Sequence, residues 1–179
     1  MKYTWIFFVF LLAFKLNGQE GEIAKTLKAV RINTPVSIDG DLSDEQWKNI
    51  PLADSFLQVN PYNGKPAIFE NEVKVAYDDN AIYIGAILHD SSPDSIIQYL
   101  SKRDRTGFTD YFGVNIDPFN DGLSAYGFFV NAAGVQTDLF YTNGGSRREY
   151  DWDAVWNSEV AVTKDGWIVE MSIPYSSLR

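Results

Sequence analysis

Apolar residues recur at every second position through most of this chain, the period of strands with one buried face. In residues 111–116, Phe112, Val114 and Ile116 share one face, while Tyr111, Gly113 and Asn115 share the other. Residues 117–122, DPFNDG, carry the Pro, Asn, Asp and Gly chemistry that ends a strand. The alternation then resumes, with Tyr126, Phe128 and Val130 on one side and Gly127, Phe129 and Asn131 on the other. After a turn at NAAG (131–134), a third strand is predicted over residues 136–141. The three strands follow one another as an antiparallel sheet. Gly113 and Gly127 leave room on one of its faces, and aromatic and amide groups border that space. This shallow groove is the candidate site.

The same period organises the rest. Val73, Val75 and Tyr77 alternate, Asp78-Asp79-Asn80 turns the chain, and residues 81–88 return as a nearly continuous apolar strand. Such a run predicts a central strand covered on both faces. Residues 155–163 and 167–173 predict a hairpin across Lys164-Asp165-Gly166, with Trp156 and Trp167 in the core. A first strand is expected at residues 27–32. In SIDGDLSDEQWKNI (37–50), Asp39-Gly40 makes a turn, and Ser43 with Gln46 has capping-box spacing. A short helix is predicted there, with Trp47 and Ile50 on one side, plugging one end of a sandwich. Residues 54–69 form an irregular edge, broken by Pro61, Asn63-Gly64 and Pro66. Residues 91–100 fit either a helical turn at Pro93 or an edge strand through Ile96-Ile97. The chain is therefore expected to be all-β, an antiparallel two-sheet β-sandwich with one short N-terminal helix around Trp47.

Composition narrows the function. At 179 residues and 45% hydrophobic, the chain suits one domain with a substantial core. Lys2 followed by the apolar run WIFFVFLLAF and then Asn17-Gly18-Gln19 reads as a signal peptide over residues 1–19. Residues 20–30 are a linker with the start of the first strand, and residues 31–179 are the sandwich. Without Lys2 and Lys15, 13 basic residues stand against 24 acidic ones. An acidic, exported domain without a basic stripe argues against nucleic acid as partner. The absence of cysteine excludes disulfides, thiol catalysis and thiolate metal sites.

Candidate chemistry is sparse. His89 ends a strand and has no nucleophile motif beside it. Arg103, Asp104 and Arg105 form a charged cluster: either a solvated loop with arginines paired to carboxylates such as Asp110, or donors at the rim of the groove. Trp152, between Asp151 and Asp153, is expected to be exposed for stacking. Asp117, Asn120 and Asp121 offer oxygen ligands for calcium, although turn chemistry explains the same residues. Glycoside hydrolysis needs two carboxyl groups facing each other across a cleft, and the acids here lie mostly in turns. Glu170 lies in a strand with an apolar opposite face, so a structural role is expected, and no enzyme is predicted.

The segments IDGDLSDEQW, VKVAYDDNAIYIGAILHD, FTDYFGVNIDPFND, AYGFFVNAAG and AVWNSEVAVTKDGWIVEMSIPYSSL occur in an order that resembles the family 9 carbohydrate-binding module. They are most similar to the version at the front of exported bacterial proteins that continue into a β-barrel domain. The resemblance implies a jelly-roll-like β-sandwich that binds glycans, sometimes with calcium, and has no catalysis of its own. It also implies closing strands beyond Ser176-Ser177-Leu178, so Arg179 is expected to be a truncation point. Asn131 matches the family's binding amide. Phe129 stands where the family has an arginine, Gly113 where it has an acid, and Phe108 is the substitute for a stacking tryptophan. A pyranose offers C–H groups to aromatic rings and hydroxyls to planar polar groups. On that basis the expected glycan contacts are Asn131, Phe129, Asn115, Tyr111, Phe108, Asp110, Arg105 and Trp152, and Tyr141 is a further candidate ring. The expected function is glycan binding in carbohydrate catabolism. The alternative is a structural cap of an outer-membrane β-barrel, with a degenerate sugar site.

Overall fold

The structure, a computed structural model, describes residues 25–105 and 107–179. The expected signal peptide lies outside the described residues. Among the described residues ten strands form two sheets: β1 (Val30–Arg31), β2 (Leu52–Ala53), β3 (Asn71–Tyr77), β4 (Ala81–His89), β5 (Tyr111–Ile116), β6 (Ala125–Asn131), β7 (Gln136–Thr142), β8 (Arg147–Glu149), β9 (Asn157–Thr163) and β10 (Gly166–Pro174). The larger sheet has the order β1-β3-β4-β10-β9, with β2 also paired to β3. The smaller sheet runs β5-β6-β7-β8. All pairings are antiparallel except β1 with β3. The expected two-sheet sandwich is what the chain forms.

The alternation decides which faces meet. Val73, Ile84, Ala86, Trp167, Val169, Met171 and Ile173 from the larger sheet pack against Tyr126, Phe128 and Val130 from β6. Trp156 joins this core, and Phe128 meets it edge to face at 5.4 Å between centroids. As its run of apolar residues predicts, β4 sits centrally and is covered on both sides. Its second face, with Ala81 and Tyr83, packs against Ile32, Val36, Trp47 and Ile50.

That second cover corrects one expectation. The segment around Trp47 is a 3-10 helix (Glu45–Asn49), and it lies across the back of the larger sheet instead of plugging an end. The capping box does not form. Asp44 occupies the N-cap position without capping the helix, its carboxylate accepting instead from the Ser37 amide, the Ser43 hydroxyl donates to Asp41, and the Gln46 amide donates to Thr34 and Pro35. Gly85 makes the arrangement possible. A Cβ there would stand 2.7 Å from Leu42 and 3.2 Å from the Trp47 ring, so only a bare strand admits the indole this close. The other differences are small. The first strand shortens to two residues beside β3, and residues 91–100 contain only a 3-10 turn (Pro93–Ser95) before Ile96 enters the core.

Candidate functional site

Residues directly opposite in an antiparallel pair share a face. In the smaller sheet Tyr111 lies opposite Asn131, and Gly113 opposite Phe129 and then Thr137. Asn115 lies opposite Gly127 and then Leu139, while Ala125 lies opposite Tyr141, which in turn faces Arg148. The inward rows hold Phe112, Tyr126, Phe128 and Phe140, which pack in the core. The outer face therefore carries Tyr111, Asn115, Phe129, Tyr141 and Arg148.

The hollow expected over the two glycines is filled from within. A Cβ on Gly113 would fall 2.0 Å from Cδ1 of Phe129, so that ring lies flat over the glycine. A Cβ on Gly127 would meet Phe129 at 2.8 Å, Tyr141 at 2.9 Å and the Asn115 Oδ1 at 3.0 Å. The glycines thus let neighbouring rings settle onto the backbone; they do not leave an empty groove. Tyr111 meets Phe129 edge-on at 6.1 Å, and Tyr111 is 58% exposed. The result is a shallow aromatic surface along the face.

At one end of this surface the expected polar contacts are engaged elsewhere. Asn131 is only 2% exposed. Its Nδ2 donates to the Tyr99 carbonyl at 2.9 Å, and its Oδ1 accepts from the amides of Ala133 and Val135 at 3.0 and 2.8 Å. It builds the turn after β6. The Asp110 carboxylate accepts from the Ile97 amide at 2.7 Å. Phe108, 85% exposed, and Arg105 stand in solvent before β5. The pairing reading of the charged cluster holds for Arg103, with Asp138 as its partner instead of Asp110. Arg103 also donates to Gln136 and to the Ala154 carbonyl, while the buried Asp138 accepts from the Ala154 amide and the Trp156 indole. Trp152 is not displayed for stacking. It lies 4.9 Å from Tyr126 and 5.8 Å from Phe128 between centroids, because its ring closes the flank of the core.

At the other end the face opens into a cleft of about 420 Å³, lined by Asn115, Asp117, Ser124, Tyr141 and Arg148. Its end wall is made by the turns after β5 and β7, joined by a bond from the Gly144 amide to the Leu123 carbonyl at 2.9 Å. The Arg148 guanidinium lies 5.8 Å from the centroid of Tyr141, within cation–π range. Burial pushes the Tyr141 hydroxyl up, partly opposed by Arg148. The Asp117 carboxylate accepts from the amides of Gly122 at 2.8 Å and Phe119 at 3.1 Å. The bond from Gly122 is the main cause that holds Asp117 below the usual carboxylate range, so it stays ionised.

The proposed calcium ligands sit in this wall. Asp121 accepts from the Leu123 amide at 2.8 Å, and Asn120 has a positive φ of 52°. Both carboxylates of the turn are thus engaged by its own amides, and among the described residues no group of three or more acidic or histidine side chains is placed to hold a metal. Sequence alone does not single out Arg148, because residues 142–148 are polar and glycine-rich. No alternation marks it, since residues 146–149 are all polar or charged.

The family model described as carbohydrate family 9 binding domain-like matches residues 38–179. No curated protein matches the chain. Among solved structures, a family 9 carbohydrate-binding module from Caldicellulosiruptor kristjanssonii in complex with glucose is similar, with a TM-score of 0.60 at 19% identity, covering 83% of this chain and 69% of that one. A structure of a family 9 module from the same organism in complex with cellotriose gives a TM-score of 0.58 at 20% identity, covering 83% of this chain and 67% of that one. At these identities the likeness concerns the fold.

Proposed function

Because this chain belongs to the carbohydrate family 9 binding domain-like family, we propose that it is a non-catalytic domain that holds a glycan on the outer face of its smaller sheet. The observation that carries this reading is the row of Tyr111, Phe129 and Tyr141 on the solvent side of a sheet whose other aromatic rings form the core. Rings presented outward match the C–H face of a pyranose, and Asn115 and Arg148 beside them match its hydroxyls. The glucose and cellotriose complexes of similar folds support the ligand class. The two most buried carboxylates among the described residues, Asp138 and Glu170, each bind internal donors, which supports a binding role over hydrolysis. With the leader at residues 1–19, the domain works outside the cytoplasm, attaching its protein to glycans during carbohydrate catabolism.

Calorimetric titration of the full chain with a panel of oligosaccharides tests this. Calorimetry suits the site because Trp47, Trp152, Trp156 and Trp167 all lie in the core or against it. Saturable binding is expected, weakened about tenfold in Phe129→Ala by loss of the stacking surface. Silence across the panel would remove the reading.

A second reading is favoured by the excursion between β2 and β3, where Leu57, Val59, Tyr62 and Ile68 are exposed. Such a patch suits an interaction domain that packs against an outer-membrane β-barrel domain. Replacing Val59, Tyr62 and Ile68 by serine would then abolish association with that barrel and leave glycan titrations unchanged.

A further inference from the structure

The resemblance points to the Asn131 end of the outer face, yet an exposed arginine and an open cleft lie at the opposite end. The cleft there, at about 420 Å³, is at the small end of the roughly 300–1,000 Å³ range of small-ligand sites. Tyr141 lies low on its floor because Gly127 has no Cβ to hold it off. Arg148 is exposed and pairs with no carboxylate among the described residues, whereas its neighbour Arg147 pairs with Glu149 at 3.2 Å. The same cleft is lined by two side chains that carry acceptors, Asn115 and Asp117. A planar fork of donors beside an aromatic floor, with acceptors in the same cleft, suits adjacent hydroxyls on one ring. One positive and one negative group share the cleft, so a ligand carboxylate gains from Arg148 and loses to Asp117.

We infer that this cleft is a sugar subsite for an uncharged pyranose, with Tyr141 as the stacking ring, Arg148 donating to neighbouring hydroxyls, and Asn115 and Asp117 accepting from them. The inference rests on the glycan-binding reading and adds where the ring sits and which sugars it admits.

The test is calorimetric titration of the full chain with a neutral cello-oligosaccharide and with its counterpart ending in a uronic acid. Neutral sugar is expected to bind at least as tightly as the acid. Arg148→Ala is expected to weaken it by about tenfold or more, and Arg148→Lys to restore only part, because the ammonium lacks the planar fork. Arg147→Ala, which removes the same charge one residue away, is expected to leave affinity unchanged. Neutral binding kept in Arg148→Ala but lost in Phe108→Ala would overturn the cleft assignment while leaving the glycan reading intact. Tighter binding of the acid would overturn the sugar class. Absence of any saturable binding by the unmodified chain would overturn both.

Discussion

Trp47 and Glu170 lie 123 positions apart and share a hydrogen bond: the indole Nε1 donates to the Glu170 Oε1 at 2.9 Å. The second carboxylate oxygen accepts from the amides of Asp39 and Gly40, each at 2.9 Å. Glu170 is fully buried in β10, on the face turned away from the sheet-to-sheet core. One carboxylate thus fastens the N-terminal segment across the back of the larger sheet. Burial pushes its pKa up, and the two amides and the indole pull it back only in part.

That arrangement predicts the cost of a conservative change. In Glu170→Gln the amide nitrogen must face either the indole N–H or the two backbone N–H groups, so a buried donor loses its acceptor. A loss of about 1–3 kcal/mol is expected in urea unfolding. Trp47→Phe keeps the burial and removes one donor, so combining the two changes is expected to cost less than their sum. Strict additivity would show that the contact carries no coupling.

Gly113→Ala places a methyl group where the Phe129 ring now lies, 2.0 Å from Cδ1. The ring has to swing outward, with an expected loss of about 1–3 kcal/mol. The double change with Phe129→Ala removes the clash and is expected to recover part of that loss. If Gly113→Ala alone leaves the unfolding midpoint where it was, the ring does not cover the glycine.

The turn between β3 and β4 predicts sensitivity to base. The Tyr83 hydroxyl donates to the Asp78 Oδ2 at 3.0 Å, and burial first, then Asp78, pushes its pKa up to about 12. A group whose pKa rises on folding contributes fully below its unfolded value, about 10 for tyrosine, and loses that contribution as pH rises toward 12. Burial pushes Asp78 up, but the amides of Asn80 and Ala81, with Tyr83, outweigh it and leave the carboxyl below its ordinary range. Its contribution is therefore present at neutral pH and lost in acid. Tyr83→Phe is expected to lose about 1 kcal/mol at neutral pH and to flatten the fall in stability between pH 10 and 12. Parallel stability curves for the two proteins above pH 10 would exclude the role assigned to Tyr83.

Arg103 tests whether the charged cluster before β5 is structural. Asp138 is fully buried, and without Arg103 it keeps only the Ala154 amide and the Trp156 indole. Arg103→Met retains much of the aliphatic stem and removes the charge, with an expected loss of about 1–3 kcal/mol in thermal or urea unfolding. Arg103→Lys is expected to recover part of it. An unchanged midpoint in Arg103→Met would place the partner of Asp138 elsewhere.

Much of the architecture was legible because a strand repeats every two residues and records its own faces. Phe112, Val114 and Ile116, or Trp167, Val169, Met171 and Ile173, reveal their burial through local alternation alone. Turn chemistry marked the ends, as at Asp78-Asp79-Asn80 and Lys164-Asp165-Gly166, and the order of the segments carried the family resemblance. The helix around Trp47 was foreseen, but its place on the back of the sheet was not. That place follows from Glu170 and Gly85, which its own sequence neighbourhood does not contain.

The candidate site shows the same division more sharply. Alternation by itself determined that Tyr111, Asn115 and Phe129 share a face, since side-chain direction follows from strand parity. Only the tertiary structure decided that Phe129 fills the space over Gly113, that Asn131 is taken by a carbonyl 32 residues away, and that Arg148 arrives beside Tyr141 on a neighbouring strand. Whether a polar group is free for a ligand depends on which partners the folded chain brings within hydrogen-bonding range, and those partners come from distant segments.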